Sequence, residues 1–544
     1  WDRATICAQN SRLQCKDALS LACVMAVGLL AGCGGNGDSG STNESAGGES
    51  GTLTVSLASS PSKLDPIHYS GSYEGQIINQ VCDRLVAYND TLTEYAPSLA
   101  TSWTISDDGV TYVFQIRQGV HFQNTEYAKG REMTAEDVAY SLNRSAQHSD
   151  NNRLAMLDKA EVTGDWEVTC TLKNPDASFL TALTDAGNSI VAKEEVEGWG
   201  EDFGYHLSGT GAFCMDKFEL DEQAVLSANP DYWLGAPALQ KLVFKFISDP
   251  NQAANALQTG AVDLATQLSG EAINTVQNAG NGIELLKTEA LKINYVRFNA
   301  QKGPTADPLV RKALIEAVDL DAVRTALYQY DEVEAAYLPL PYGSWGYDAS
   351  LESMVPSYDP EDAKALLEQA GYGDGFEITI NVSNSEERKT LATMLQSYWQ
   401  QIGVKANISV NEWGTFSDTV CSGNSDVYAM SWSWYPDPYF FLDKLFSSTE
   451  TTAIGNGAGY VNEYVEQELA AARQTTDQEE RKAHYSNAMK QIMQDYTGIY
   501  YANPYELTGI NDRVQDFVPR ADGQLFFITS DDGETITRNT SVTD

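Results

Sequence analysis

The residues best suited to hold a ligand are aromatic, and they crowd two short stretches: Asn411-Glu412-Trp413, and Ser431 to Phe441, which reads SWSWYPDPYFF. On a strand, Trp432 and Trp434 point to one face and Ser433 to the other. Two indoles side by side, just ahead of a proline-bounded turn, wall a pocket with large rigid surfaces and keep an N–H for a polar contact. Packing in an ordinary core is the competing use of such a stripe. Catalysis has no comparable cluster. The chain lacks G-x-S-x-G, H-E-x-x-H and G-x-x-x-x-G-K, so nucleophile-elbow hydrolysis, zincin chemistry and P-loop phosphate binding are without their residues. Ser208-Gly209-Thr210-Gly211-Ala212-Phe213 is glycine-rich, but no Lys-Ser/Thr follows it and no helical pattern opens there. His68, His121, His148, His206 and His484 lie far apart with no metal-ligand spacing. No catalytic site, metal or cofactor is therefore expected.

Composition narrows the class. A chain of 544 residues is too long for one small core and suggests two or three domains. Lys+Arg 35 against Asp+Glu 76 gives a net charge of -41, which argues against nucleic acid and against charge-driven docking on anionic lipid. At the N-terminus, Arg12 and Lys16 precede an apolar run from Ala18 to Leu30 that is short for a membrane span. It ends in Leu30-Ala31-Gly32-Cys33, which resembles the lipobox of bacterial lipoproteins. Residues 1–32 are therefore expected to be a signal peptide and Cys33 a lipidated N-terminus. The chain starts with Trp1 rather than Met, as a fragment or an extended reading frame would. Gly34 to Gly51 has almost no apolar side chains, so 33–51 reads as lipid anchor and flexible linker with a reach of about 25 Å. Cys82, Cys170, Cys214 and Cys421 remain beyond it with no C-x-x-C. Their spacing leaves pairing open, and small buried hydrophobes are the expectation.

The elements that must position these residues alternate between strand and helix. Thr52 to Ala58 alternates as a first strand. Ser102 to Ile105 and Val110 to Arg117 form a hairpin across Ser106-Asp107-Asp108-Gly109, with Tyr112, Phe114 and Ile116 on one face. Thr134-Ala135-Glu136-Asp137 opens a helix in capping-box fashion. Val162 to Leu172 is another hairpin. Strand patterns at Lys241–Ile247, Phe376–Val382 and Val404–Val410 flank helices at Ala253–Leu257, Asp359–Gly371 and Glu386–Ile402, the rhythm of an α/β protein.

One block carries a closer resemblance. Pro97 to Phe122 follows P-x-L-A-x-S-W-x-x-S-x-D-G-x-T-Y-x-F-x-x-R-x-G-V-x-F, and Thr134 to Ser141 follows T-A-E-D-V-x-x-S. Both resemble the signature of the family 5 extracellular solute-binding proteins, the peptide/nickel-type receptors of ABC importers. Lys63-Leu64-Asp65-Pro66, Ser208–Phe213 (with Ala212 where proline is usual) and Asn229-Pro230-Asp231-Tyr232-Trp233 resemble further segments of that family. The resemblance implies the periplasmic-binding-protein type II fold: two α/β lobes joined by two crossover strands, near Asn294–Phe298 and Ile499–Ala502, plus an extra α+β subdomain. Expected boundaries are 52–75, 191–298 and 503–544 for lobe I, 76–190 for the accessory subdomain (lobe II), and 299–502 for lobe III.

The same resemblance implies a function and a site. A monomer outside the cytoplasmic membrane, anchored at Cys33 on the cell surface or in the periplasm, would capture a peptide or similar small solute between its lobes and deliver it to ABC permease subunits. Ser72 and Tyr73 occupy the family's ligand-facing loop, and Trp413, Trp432, Ser433 and Trp434 lie on or near its ligand strand. Peptide-binding relatives carry an aspartate three residues after the tryptophan, to meet the peptide's amino group. Here that position is Tyr435, and the nearest acid, Asp437, is displaced by two. Either Asp437 serves from a shifted backbone or the ligand has no α-ammonium to anchor. A non-peptide ligand (an oligosaccharide, or nickel or another metal chelate) and a surface sensor or adhesin role are the alternatives.

Overall fold

A computed structural model describes residues 51–69, 72–150, 153–433 and 435–543. The expected leader, Cys33 and all of the linker but Gly51 lie outside the described residues, as does Trp434. Two buried strands organise the rest. Lys292–Phe298 (KINYVRF) pairs antiparallel with Val427–Ser433 on one side and with Gly498–Asn511 on the other. Gly498–Asn511 is fourteen residues long and serves both lobes. Its first part pairs with Lys292–Phe298, and its second with Ile283–Glu289 and Leu264–Ala265. The expected return strand, Ile499–Ala502, is therefore only the beginning of the observed one. Pro504 does not end it: Val333 lies opposite, and the proline carbonyl accepts from the Ala290 N–H at 3.2 Å.

One twelve-stranded sheet results. From Gly498–Asn511 it runs outward through Leu264–Ala265, Thr52–Leu57, Lys241–Phe246, Gln223–Ala228 and Phe213–Glu219 to form the first lobe. In the other direction it passes through Lys292–Phe298, Val427–Ser433 and Phe376–Ser383 to Val404–Asn411, the second lobe. The second lobe's strands Phe376–Ser383 and Val404–Asn411 are parallel, joined by the helix Glu386–Gln401, whose Leu391, Leu395 and Trp399 are buried on the sheet. The fold is thus the mixed α/β, two-lobed architecture that the sequence implies.

The accessory sheet stands apart: Ala100–Ile105, Thr111–Ile116, Glu167–Leu172 and Leu157–Gly164, all antiparallel, under the helix Ala135–His148. Tyr112, Phe114 and Ile116 are buried on one face, as their alternation requires. The helix begins where the pattern placed it, with the Asp137 carboxylate accepting from the Thr134 N–H at 2.9 Å. Arg131 then grips Asp137 with two hydrogen bonds of 2.7 and 2.6 Å, which fixes the loop ahead of the helix. Cys82, Cys170 and Cys214 are free thiols, the first two buried.

The glycine turn at Ser208–Phe213 has a packing reason. Gly211 donates its N–H to the Val81 carbonyl at 2.9 Å, at the end of helix Ser72–Val81. A Cβ on Gly211 would lie 2.5 Å from the Val81 carbonyl carbon and 2.6 Å from the Gln80 oxygen, both backbone atoms. Gly211→Ala is expected to destabilise the protein by about 1–3 kcal/mol, read as a lower urea midpoint at unchanged m value.

Candidate ligand-binding site

The strand Val427–Ser433 leaves the second lobe's sheet and turns at Tyr435-Pro436-Asp437-Pro438 into the helix Tyr439–Phe446. Trp432 is half-buried at the strand's end. Its indole N–H donates to the Phe440 carbonyl at 2.7 Å, and its ring packs against the core of that lobe. Ser433 is exposed, opposite Lys292 on the crossover strand. Tyr435 reaches away from its own lobe: its hydroxyl donates to the Asp185 carboxylate, next to the accessory sheet. Asp185 is buried and ion-paired with Arg153 at 2.6 Å, and Arg153 lies over the Tyr69 ring at 4.0 Å. Burial and the Asp185 charge push the Tyr435 phenol far above its ordinary pKa, so it stays a neutral donor. The position three residues after Trp432 thus holds an interlobe contact.

Asp437 has a different employment from the one its position suggests. It is wholly buried, and its two oxygens accept from Arg481 Nη1 at 2.8 Å and Nη2 at 2.9 Å. Oδ1 also accepts the Tyr439 N–H at 3.0 Å, at the start of the following helix. Arg481 stacks on Trp345 at 5.1 Å and donates Nε to the Ala472 carbonyl at 3.0 Å. This acid is fully committed to holding the turn, so the expectation that it serves from a shifted backbone gives way to a structural pairing. The reason is physical: a carboxylate with no exposed surface needs a partner in place before any ligand arrives. Arg481 lies on helix Gln478–Gln494, 44 residues beyond Asp437.

The remaining candidates separate. Ser72 and Tyr73 open the helix Ser72–Val81, and the Tyr73 hydroxyl donates to Gln267 at 3.0 Å. Trp413 opens its own helix, 57% exposed, with its ring against Phe416. It is not brought to Trp432. At the base of the second lobe lies a polar cluster that sequence spacing did not disclose. The Glu387 carboxylate accepts from Tyr328 at 2.6 Å, Tyr501 at 3.2 Å and Asn294 at 3.3 Å. Ser431 donates to Asn294 at 2.5 Å and accepts from Arg388 at 2.6 Å. These bonds tie both crossover strands to the ligand strand.

Glu506, on the shared strand, is the other residue that sequence reasoning missed. With Tyr73, Gln76, Gln267, Arg520 and Gln524 it lines a small recess in the first lobe. Among the described residues no donor hydrogen-bonds its carboxylate. Burial raises its pKa above the ordinary 4.5, Lys292 pulls it back and Asp522 adds to the rise.

The sequence model of the bacterial extracellular solute-binding proteins, family 5 (middle region), matches residues 94–453, and this chain belongs to that family of extracytoplasmic receptors. Its relatives are spread over several cargo types. It is 30% identical to the heme-binding protein A of Haemophilus influenzae over 89% of this chain and 93% of that one. It is 28% identical to the dipeptide-binding protein of Escherichia coli K12 over 86% and 92%. Among solved structures, HbpA2 from Haemophilus parasuis superposes with a TM-score of 0.79 (29% identity, 91% of this chain, 100% of that one). The ABC-transporter-associated DppA from Helicobacter pylori, in complex with the peptide STSA, gives 0.77 (27% identity, 91% and 98%). No helix among the described residues is long and apolar enough to cross a membrane.

Two outcomes follow from this geometry. Asp437→Asn leaves a buried arginine without its counter-charge and is expected to cost about 3–5 kcal/mol of stability in ligand-free protein; a urea melt checks this, since an acid used only to hold ligand would leave the ligand-free melt unmoved. Glu506 has its folded pKa above its unfolded one. Its stabilising contribution is therefore fully present below the unfolded value and is lost as pH rises through the folded value. Glu506→Gln is accordingly expected to melt higher than the native protein at pH 7, with the gap closing by pH 4 in paired thermal scans.

Proposed function

We propose that this chain is the receptor of an ABC importer for a short peptide or a peptide-like zwitterion. The solute is held between the two lobes and handed to permease subunits. The observation that carries the reading is the contact of Tyr435 with Asp185. The end of the ligand strand meets the opposite side of the molecule, so a solute bound there is enclosed when the lobes are together. Relatives named for dipeptide binding, and a neighbour solved with a bound peptide, support peptide as the cargo. We take the lobe boundaries from the sequence, 52–75 with 191–298 and 503–544, then 76–190, then 299–502, with the crossover strand Lys292–Phe298 at the end of 191–298 hydrogen-bonded into the sheet of 299–502. The receptor is a monomer, tethered through a lipid on Cys33 outside the cytoplasmic membrane. Leu30-Ala31-Gly32-Cys33 and the polar linker behind it support that placement.

A second reading, a solute without an α-ammonium, is favoured by one observation: Asp437 is taken by Arg481 and Tyr435 stands where an acid would be. Oligosaccharide or metal-chelate cargo and a sensor role belong to this reading. Mass spectrometry of the solute released from gently purified protein decides between the two. Mixed short peptides are the expected finding, and a single sugar or metal complex would overturn the peptide assignment. In the producing cell, Cys33→Ala is expected to move the protein from the membrane fraction to the soluble one.

A further inference from the structure

Among the buried arginines, Arg388, Arg481, Arg520 and Arg538 have a carboxylate within 4.0 Å, and Arg311, which has none, gives all three guanidinium nitrogens to backbone carbonyls. Arg84 is only 7% exposed, yet no described carboxylate lies within ion-pairing distance of it. Asp83, its neighbour in the chain, is turned elsewhere and accepts from Thr210 at 2.9 Å, Tyr232 at 3.0 Å and Trp233 at 2.9 Å. Arg84 uses one terminal nitrogen, Nη1, on two neutral acceptors: Asn79 Oδ1 at 2.9 Å and the Cys82 carbonyl at 3.2 Å. Nε is buried without an acceptor, and Nη2 has none among the described residues. The unused edge of the guanidinium is therefore its Nε/Nη2 side, a two-donor fork whose spacing matches the two oxygens of a carboxylate.

Arg84 lines a recess of about 70 Å³ between the first lobe and the accessory segment. Its aromatic walls include Tyr88, Trp233 and Phe526, with the Phe526 ring centroid 5.1 Å from the Arg84 Cζ. Tyr435, from the ligand strand of the second lobe, is the part of its lining that arrives from across the cleft. Arg297 also lacks a carboxylate, but it is wholly buried against Phe446, whereas Arg84 borders open space. Asp83, Asp522 and Arg520 are the other charged groups around the recess. The first is satisfied by its three donors, and the other two neutralise each other at 2.7 Å. Desolvation lowers the Arg84 pKa, and the nearby Asp83 charge offsets only part of that fall.

We propose that this recess is an anion subsite in which Arg84 receives a carboxylate of the captured solute, with Tyr435 closing over it. The assignment rests on the solute-capture reading above and narrows it: the cargo carries a free carboxylate, and that group seats where the first lobe meets the accessory segment. An acidic side chain and a C-terminal carboxylate have the same chemistry here.

The test uses the full protein. Acetate and inorganic phosphate are titrated separately at constant ionic strength, following tryptophan emission (Trp233 lines the recess) and melting temperature. The native protein is expected to respond saturably to acetate; Arg84→Met should lose that response at least tenfold, with Arg84→Lys between them. Phosphate binding tighter than acetate would overturn the carboxylate assignment, and a native protein that responds to neither would overturn the subsite. In a second arm, which needs no variant, Ala-Ala and its C-terminal amide are compared on the native protein. Equal affinity for acid and amide would refute the seating of a C-terminal carboxylate while leaving peptide capture intact. Recovery of a non-peptide carboxylic acid as the native solute would sink the peptide reading and keep the subsite.

Discussion

The structure depends on a shared strand. Because Gly498–Asn511 hydrogen-bonds over its first part to the crossover strand Lys292–Phe298 and over its second to Ile283–Glu289, the lobes are halves of one sheet. Backbone ladders keep their register through small rotations, since slipping by one residue would exchange the buried and exposed faces of the strand. Motion between the lobes is thereby confined to twisting and bending about the two crossover strands. The cluster of Glu387, Tyr328, Tyr501, Asn294, Ser431 and Arg388 sits where that twist is transmitted. It makes the ligand strand and both crossover strands move together, so the position of Tyr435 follows from the state of the hinge.

Arg481 and Asp437 set the second constraint. The turn that carries the ligand strand into its helix is held by a fully buried ion pair backed by Trp345 and Tyr485. Such a pair has paid its desolvation in the folded protein and does not release its carboxylate to a ligand without stranding a buried guanidinium. Shape at this turn is therefore independent of cargo. On the proposal above, a solute carboxylate falls instead to Arg84, whose Nε and Nη2 have no acceptor among the described residues.

The contrast between these residues and the ones legible in sequence is physical. Tyr112, Phe114 and Ile116 could be placed because a strand's two-residue period writes burial directly into local order, and the helix at Ala135 could be placed because its cap lies within four residues. The two lobes and the crossover positions were readable through motif resemblance, although Gly498–Asn511 runs well past the short strand expected of it. Trp432 and Tyr435 could be singled out by type, but not their roles. Trp432 spends its N–H on Phe440 in its own turn, and Tyr435 spends its hydroxyl on Asp185, 250 residues earlier in the chain. Asp437 and Arg481 are 44 residues apart and meet only through tertiary packing. The features that define Arg84 and Glu506 are missing partners, and no spacing rule registers what is missing.

Charge across the molecule gives these two positions their meaning. With a net charge of -41, carboxylates far outnumber cations, so an interior arginine left without one is not explained by scarcity of acids. The recesses of Arg84 and Glu506 both include Arg520 and Gln524 in their walls, so the two unpaired groups of opposite sign open on adjoining space. Glu506 belongs to the shared strand, whereas Arg84 follows helix Ser72–Val81 outside the twelve-stranded sheet, and the carboxylate proposed for Arg84 would meet it there. Closure by Tyr435 then adds a cover and removes water from those contacts, which strengthens them. On the proposed subsite, charge is read by Arg84 where the first lobe meets the accessory segment, and the second lobe's contribution, through Tyr435, is enclosure.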